Sequence, residues 1–186
     1  MATPRSPFSV MLIMGLLRNP VPESDGVFNR IESAFGPIHA RTPEIPFAFT
    51  SYYTPEMGEG LLRSYMSFEC LVCPDVLAAA KLASNAIESA FSRDGRRLVN
   101  LDPGLLTPHN LILASCKDFS HRIYLRDGVY GEVTLIFTKG RFTVLPWTYP
   151  DYASEEVSTF FLSQREDYLV MRRADVSVNS RSLPSK

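Results

Sequence analysis

No stretch of this chain is apolar for the ~20 residues that a membrane-spanning helix needs. The most apolar run is VMLIMGLL, residues 10–17. It follows Arg5 and has the length of a signal-peptide core. However, it leads into Arg18, Asn19 and Pro20 rather than a small-residue cleavage site, so it reads as a buried strand. Charge of one sign is missing too: 19 Lys and Arg stand against 20 Asp and Glu, a net −1. Binding nucleic acid through its phosphates favours a basic excess, and the balance here argues against that class. Cysteine is scarce. Cys70, Cys73 and Cys116 suit a reducing cytoplasm better than a disulfide framework. Cys70 and Cys73 supply only half of a structural zinc's four ligands, with Cys116, His109 and His121 the remaining candidates. G-x-x-x-x-G-K-[ST], a G-x-G-x-x-G after a strand, H-E-x-x-H and G-x-S-x-G are all absent. The P-loop, dinucleotide, zincin and nucleophile-elbow chemistries therefore lack their usual residues.

What is there is material for one core. The chain has 186 residues, 45% of them hydrophobic, enough for a single domain. Patterned sequence covers 8–173. The tail ADVSVNSRSLPSK, 174–186, has no pattern and is expected to be disordered.

Ser9 to Leu17 is apolar on both faces, as a central strand covered on both sides would be. Residues 24–36 predict a helix capped by Ser24 or Asp25, with Phe28, Ile31 and Phe35 on one face and Gly36-Pro37 as the stop. PFAFTSYY (46–53) predicts an aromatic strand. LLRSYMSFECL (61–71) predicts its return, with Met66, Phe68 and Cys70 facing one way and Arg63, Ser67 and Glu69 the other. Pro74 opens a second helix to about Arg93, buried along Leu77, Ala80, Ile87 and Phe91 and ended by Asp94-Gly95. Either 96–101 or 111–116 closes a β-α-β-β-α-β, ferredoxin-like order. An antiparallel meander and a helix after Ser154 follow. The helix has Glu155 and Glu156 in its first turn and Val157, Phe160, Phe161, Gln164 and Tyr168 inside. The fold class is α+β.

The meander's register follows from the cost of misplacing charge. A two-residue turn at Asp127-Gly128 would set Arg122 opposite Val133 and Ile123 opposite Glu132. A three-residue loop, Arg126 to Gly128, sets Arg122 against Glu132 and Tyr124 against Tyr130. Forcing a charge into an apolar layer costs several kcal/mol, while an opposed charge pair contributes ~0.2–1 kcal/mol. The three-residue loop is expected, with Gly128 left-handed. Ile123, Leu125, Val129, Val133 and Leu135 then share an oily face. A two-residue turn at Lys139-Gly140 pairs Phe142 with Phe137 and Val144 with Leu135. Trp147 falls beside Glu132, and His121 on the oily side.

The other face carries Arg122, Tyr124, Tyr130, Glu132, Thr134 and Trp147. Antiparallel sheets commonly have one solvated side. The alternative is a ligand platform: Lys117 and Arg122 for an anion, Glu132 orienting Arg122, and Tyr124, Tyr130 and Trp147 stacking a ring. Asp102 lies in VNLDPGLLTP, where Asp-Pro-Gly is a turn signal. With Lys117 it forms a candidate acid–base pair, or a holder for magnesium with a phosphate ligand. Lys81, Asn85 and Glu88 share one side of the second helix, and such stripes are commonly solvated. No protein metal site is expected.

Four stretches, EMGEGLLRSYMSFECL, RRLVNLDPGLL, LASCKDFSHRIYLRDGVYGEVTLIF and LPWTYPDY, together resemble the domain-of-unknown-function family numbered 4416. Its members are short bacterial and archaeal proteins, and the likeness runs from about Phe8 to Tyr168. The resemblance implies a prokaryotic protein with no established activity. The label "GTP-binding protein" attached to some members lacks its usual basis here, since Ser115-Cys116-Lys117-Asp118 only partly echoes an N-K-x-D motif and no phosphate loop is present. Three function classes remain: a binder of, or enzyme on, a small anionic, phosphate-bearing or nucleotide ligand; a homodimer or partner-binding protein; and a single-stranded RNA binder using aromatic strands.

Overall fold

In the computed structural model, residues 3–181 are described, with side chains as far as 175. The elements are β1 (Val10–Arg18), α1 (Val27–Phe35), β2 (Ile38–Arg41), β3 (Ile45–Pro46), α2 (Thr54–Met57), β4 (Leu62–Val72), α3 (Leu77–Ala90), β5 (Ser92–Arg93), β6 (Arg96–Arg97), β7 (Val99–Leu106), β8 (Asn110–Ser115), β9 (Ile123–Arg126), β10 (Val129–Thr138), β11 (Arg141–Val144) and α4 (Glu155–Arg181). The fold is α+β. One antiparallel sheet runs β11-β10-β8-β7-β1-β4-β2, with β3 added to β4 and β9 to β10.

The oily run at 10–17 is the central strand. Leu12, Met14 and Leu16 pack with Met66 and Phe68 under Ile31 of α1 and Leu77, Ala80 and Ile87 of α3. Met11 and Ile13 pack on the opposite face, with Tyr65, Leu113 and Leu135, under Val157, Phe161 and Tyr168 of α4. Cover on both sides removes any reason for alternation, and each fully buried Leu, Ile or Met contributes roughly 1.5–3 kcal/mol. Helix α4 starts after Ser154 as expected, and Ser154 caps it, its hydroxyl oxygen accepting from the Val157 N–H. The helix continues past Ala174 to Arg181. The last part of the tail expected to be disordered, 182–186, lies outside the described residues.

Several local expectations are corrected. Helix α1 begins at Val27 behind Gly26, with no side-chain cap. Ser24 instead donates to the carbonyls of Asn19 and Val21 and accepts from Arg18, so its hydroxyl is committed elsewhere. PFAFTSYY is not a strand. Only Ile45–Pro46 of this region joins the ladder, and Phe47 and Tyr53 fold over Leu17, Met57 and Leu61. Asp94 and Gly95 do not end α3, which stops at Ala90. Both are left-handed, with φ of 51° and 74°, and they turn the small β5–β6 hairpin. Asp102-Pro103-Gly104 is not a turn but the middle of β7, paired throughout with β1. Gly104 fits there because a Cβ would come within 2.5 Å of the Ile112 carbonyl oxygen.

The three-residue loop does not form: Arg126 pairs with Val129 around a two-residue turn, Asp127-Gly128, and a bulge just beyond it restores the register that the charge argument requires. Tyr130 lies opposite Tyr124, Arg126 opposite Val129, and a register shift falls between Val129 and Tyr130. Asp127 joins Gly128 in the left-handed region, at φ 53° and 75°. Phe137 faces Phe142 and Leu135 faces Val144. The continuous oily face does not form. A bulge between Val133 and Leu135 breaks the alternation, Glu132 and Thr134 are buried, and Ile123 is 73% exposed. His121 lies on the Glu132 side, 3.1 Å from its carboxylate, not on the oily side.

Candidate functional site

The sheet forks beside β1. β7 pairs with β1 along its whole length but with β8 only at Gly104–Leu106. β8 stays with β10 as far as Ser115. Pro103 sits at the fork and has no N–H with which to extend a ladder. The gap between the splayed strands is a cavity of about 310 Å³. Asn100 and Asp102 line it from β7, Leu113 to Lys117 from β8 and the residues after it, and Glu132 from β10. Lys81, Asn85 and Glu88 enter from α3, and Tyr52, Tyr53, Arg97 and Tyr149 from the loops and β6.

Ion pairs hold the walls. Arg97 forms a two-pronged contact with Glu56, at 2.6 and 2.7 Å, and reaches Glu88 and the Asn100 side-chain oxygen at 3.0 Å. Glu88 also accepts from the Leu101 N–H, and Lys81 donates to the Leu101 carbonyl. The stripe of Lys81, Asn85 and Glu88 is therefore not simply solvated, because Lys81 and Glu88 are buried against β7. Asp102 accepts from Asn100 and from Arg63, each at 3.0 Å. Arg63 also forms an ion pair with Asp151 at 2.9 Å, without hydrogen-bond alignment, and Asp151 accepts from the Tyr65 hydroxyl at 2.7 Å. Burial alone would raise the Asp102 pKa, but Arg63, Lys81 and Asn100 together hold it below the usual carboxylate range. Its side chain keeps 26% exposure, and it lines the cavity wall.

Glu132 is 2% exposed. Its Oε2 accepts from Arg122 Nε at 2.6 Å and lies 3.1 Å from the His121 ring, while its Oε1 has no partner. The remaining Arg122 nitrogens donate to the Lys117 carbonyl at 2.8 Å and the Tyr149 hydroxyl at 3.0 Å. Lys117 turns its ammonium to the Tyr52 hydroxyl at 2.7 Å, and this bond lowers the pKa of the exposed phenol. Burial and the nearby Glu132 charge push Tyr149 up to about 12, and burial raises Tyr53 further.

The structure thus brings Asp102, Lys117 and Glu132 into one cavity, with Arg122 bracing two of them from behind. It does not bring Tyr124, Tyr130 and Trp147 there. The two tyrosine rings meet edge-on at 5.4 Å in the β9–β10 hairpin. The Trp147 indole donates to the Val133 carbonyl and stacks on His121 at 4.8 Å. The cavity's own aromatics are Tyr52, Tyr53 and Tyr149. Asp102 pairs with Arg63 and Lys117 with Tyr52, rather than with each other. Arg97 and Tyr149 carried no recognised signal, and Arg63 only its place on the polar side of β4. Lys81 and Glu88 did, as a polar stripe beside the apolar one. Among the described residues no three His, Cys, Asp or Glu side chains converge to hold a metal ion, and no helix is long and apolar enough to cross a membrane.

Residues 9–168 match the family described as Domain of unknown function (DUF4416), and the chain belongs to it. No curated protein and no solved structure matches it.

Proposed function

We propose that this member of a family without an assigned activity binds a small anionic molecule, phosphate-bearing or nucleotide, in the forked-sheet cavity. One observation carries the reading. Lys81, Arg97, Arg63 and Arg122 all face carboxylates, whereas Lys117 presents its ammonium to a neutral phenol. Among the described residues Lys117 makes no ion pair, its charge reaching Glu56 only at longer range, and a cation so placed at a polar cavity is what an anion can use. The volume lies at the small end of ligand sites. Arg122 acts indirectly, because its nitrogens are committed to Glu132, Tyr149 and the Lys117 carbonyl. Asp102, held ionised, is the group able to accept a proton from a bound molecule.

The test is a thermal-shift screen of nucleotides and sugar phosphates, with and without magnesium. A binder raises Tm by mass action. Lys117→Ala should abolish the shift, and Arg122→Ala should abolish it too by releasing Glu132 and the Lys117 backbone. A full shift surviving in Lys117→Ala ends this reading.

A second reading has its own observation. β9 is an edge strand whose Ile123, Tyr124 and Leu125 are all exposed, a surface suited to pairing with a second copy. A concentration-dependent dimer in light scattering, indifferent to the metabolite panel, would favour it. The single-stranded RNA reading requires salt-dependent retention in filter binding.

A further inference from the structure

A side pocket adjoins the main cavity and is unused by the reading above. Its volume is about 60 Å³, roughly two waters. Tyr53, Asp102 and Tyr149 line both spaces, and Phe47 and Phe49 complete its aromatic walls. Phe47 lies 5.7 Å from Phe49 and 6.0 Å from Tyr53, ring centre to ring centre. The polar part is Thr50, Asp102, Asp151 and Arg63, and the two carboxylates share that one guanidinium. Arg63 is turned toward the Tyr65 and Tyr152 rings, at 4.9 and 5.4 Å. Two carboxylates against one cation leave a surplus of one negative charge. Burial keeps Tyr53 and Tyr149 neutral at pH 7, so the walls are uncharged π surfaces. Neutral aromatic rings around a surplus carboxylate attract a cation. The volume admits a primary ammonium and the carbon bearing it, not a bulkier head.

We infer that this pocket takes the ammonium end of a zwitterionic ligand whose anionic end lies at Lys117: an amine joined by a short chain to a phosphate or carboxylate. The inference rests on the anion-site reading and adds a second anchoring point to it.

Matched probes test it by calorimetry: O-phosphoethanolamine against ethyl phosphate, and β-alanine against propionate. In the wild-type chain the amine-bearing member of each pair should bind about tenfold more tightly. Asp102→Asn should bring that ratio close to one. Because Asp102 also pairs with Arg63, Phe49→Ala serves as the second variant. That ring is 40% exposed, and its loss should narrow the ratio while leaving the ion cluster intact. Equal affinities within each wild-type pair, with binding still lost in Lys117→Ala, overturn the ammonium pocket and leave the anion site standing. Binding by none of the probes, with other phosphates still stabilising the protein, overturns the ammonium pocket alone. Silence from every phosphate and carboxylate overturns both.

Discussion

Two buried charge clusters flank the cavity, and they are built in opposite senses. On the β4–β7 side one cation, Arg63, serves two carboxylates, Asp102 and Asp151. On the β10 side one carboxylate, Glu132, serves Arg122 and His121. The cost of deleting a buried ionic group depends on what it leaves unpaired. Removing Arg63 leaves two acids without a paired cation, Asp102 at the cavity wall with only Asn100 and the buried Asp151 with only the Tyr65 hydroxyl. Removing the Glu132 charge strands an arginine that still has the Lys117 carbonyl and the Tyr149 hydroxyl.

The largest effect is therefore expected from Arg63→Met. It should cost about 3–5 kcal/mol in denaturant unfolding. The backbone has adapted to this guanidinium, since a Cβ on Gly15 would sit 2.8 Å from it and 2.7 Å from the Tyr152 hydroxyl. Glu132→Gln keeps the shape and loses the charge, and should cost about 1–3 kcal/mol. If the two losses are equal, the contrast between a cation hub and an anion hub fails.

A pH titration sharpens the same contrast. The Asp102 pKa is depressed in the folded state, so its ionised form stabilises the fold above its unfolded value of about 4. That contribution is lost as pH falls through the depressed value. Asp102→Asn should flatten the acid limb of the stability curve and leave the slope near neutrality unchanged. An unaltered acid limb would show that Arg63 does not depend on Asp102.

The parts of this architecture legible in the sequence were those with local causes. The Arg122–Glu132 pair and the Tyr124–Tyr130 register followed from the penalty for setting charge against hydrocarbon, contained in residues 122–133, whereas the turn is one residue shorter than expected and a bulge makes up the difference. The interior face of α4 followed from its apolar spacing. Asp102 was misplaced because Asp-Pro-Gly is a turn signal only when no neighbour supplies a ladder. β1 pairs along all of β7, and that is a non-local fact. Arg63 was set on the polar side of β4, where alternation puts it. Nothing within β4 could show that α4, some ninety residues later in the chain, would cover that side and bring Asp151 with it. The stacking role given to Tyr124, Tyr130 and Trp147 failed for a related reason. Glu132 is buried against Arg122 and His121, while Tyr124 and Tyr130 pack on each other in the hairpin and Trp147 is taken up by His121 and the Val133 carbonyl, contacts that alternation alone does not show.

The smallest expected effect concerns the cavity mouth, where charge is exposed rather than buried. Tyr52 is 63% exposed, and surface pairs contribute little to stability. Tyr52→Phe should leave the unfolding midpoint unchanged within error. The pair should be visible instead in the phenol's own titration. The Lys117 hydrogen bond favours the phenolate, so one tyrosine should ionise below the usual range, while the buried Tyr53 and Tyr149 ionise late or not at all. Absorbance at rising pH should show this early step in the wild-type chain. Lys117→Met should return it to the ordinary range, and Tyr52→Phe should remove it. An anion that binds Lys117 neutralises the charge responsible, so a bound phosphate should move the step upward as well. A step that ignores phosphate while the protein is stabilised by it would place the anion somewhere other than Lys117.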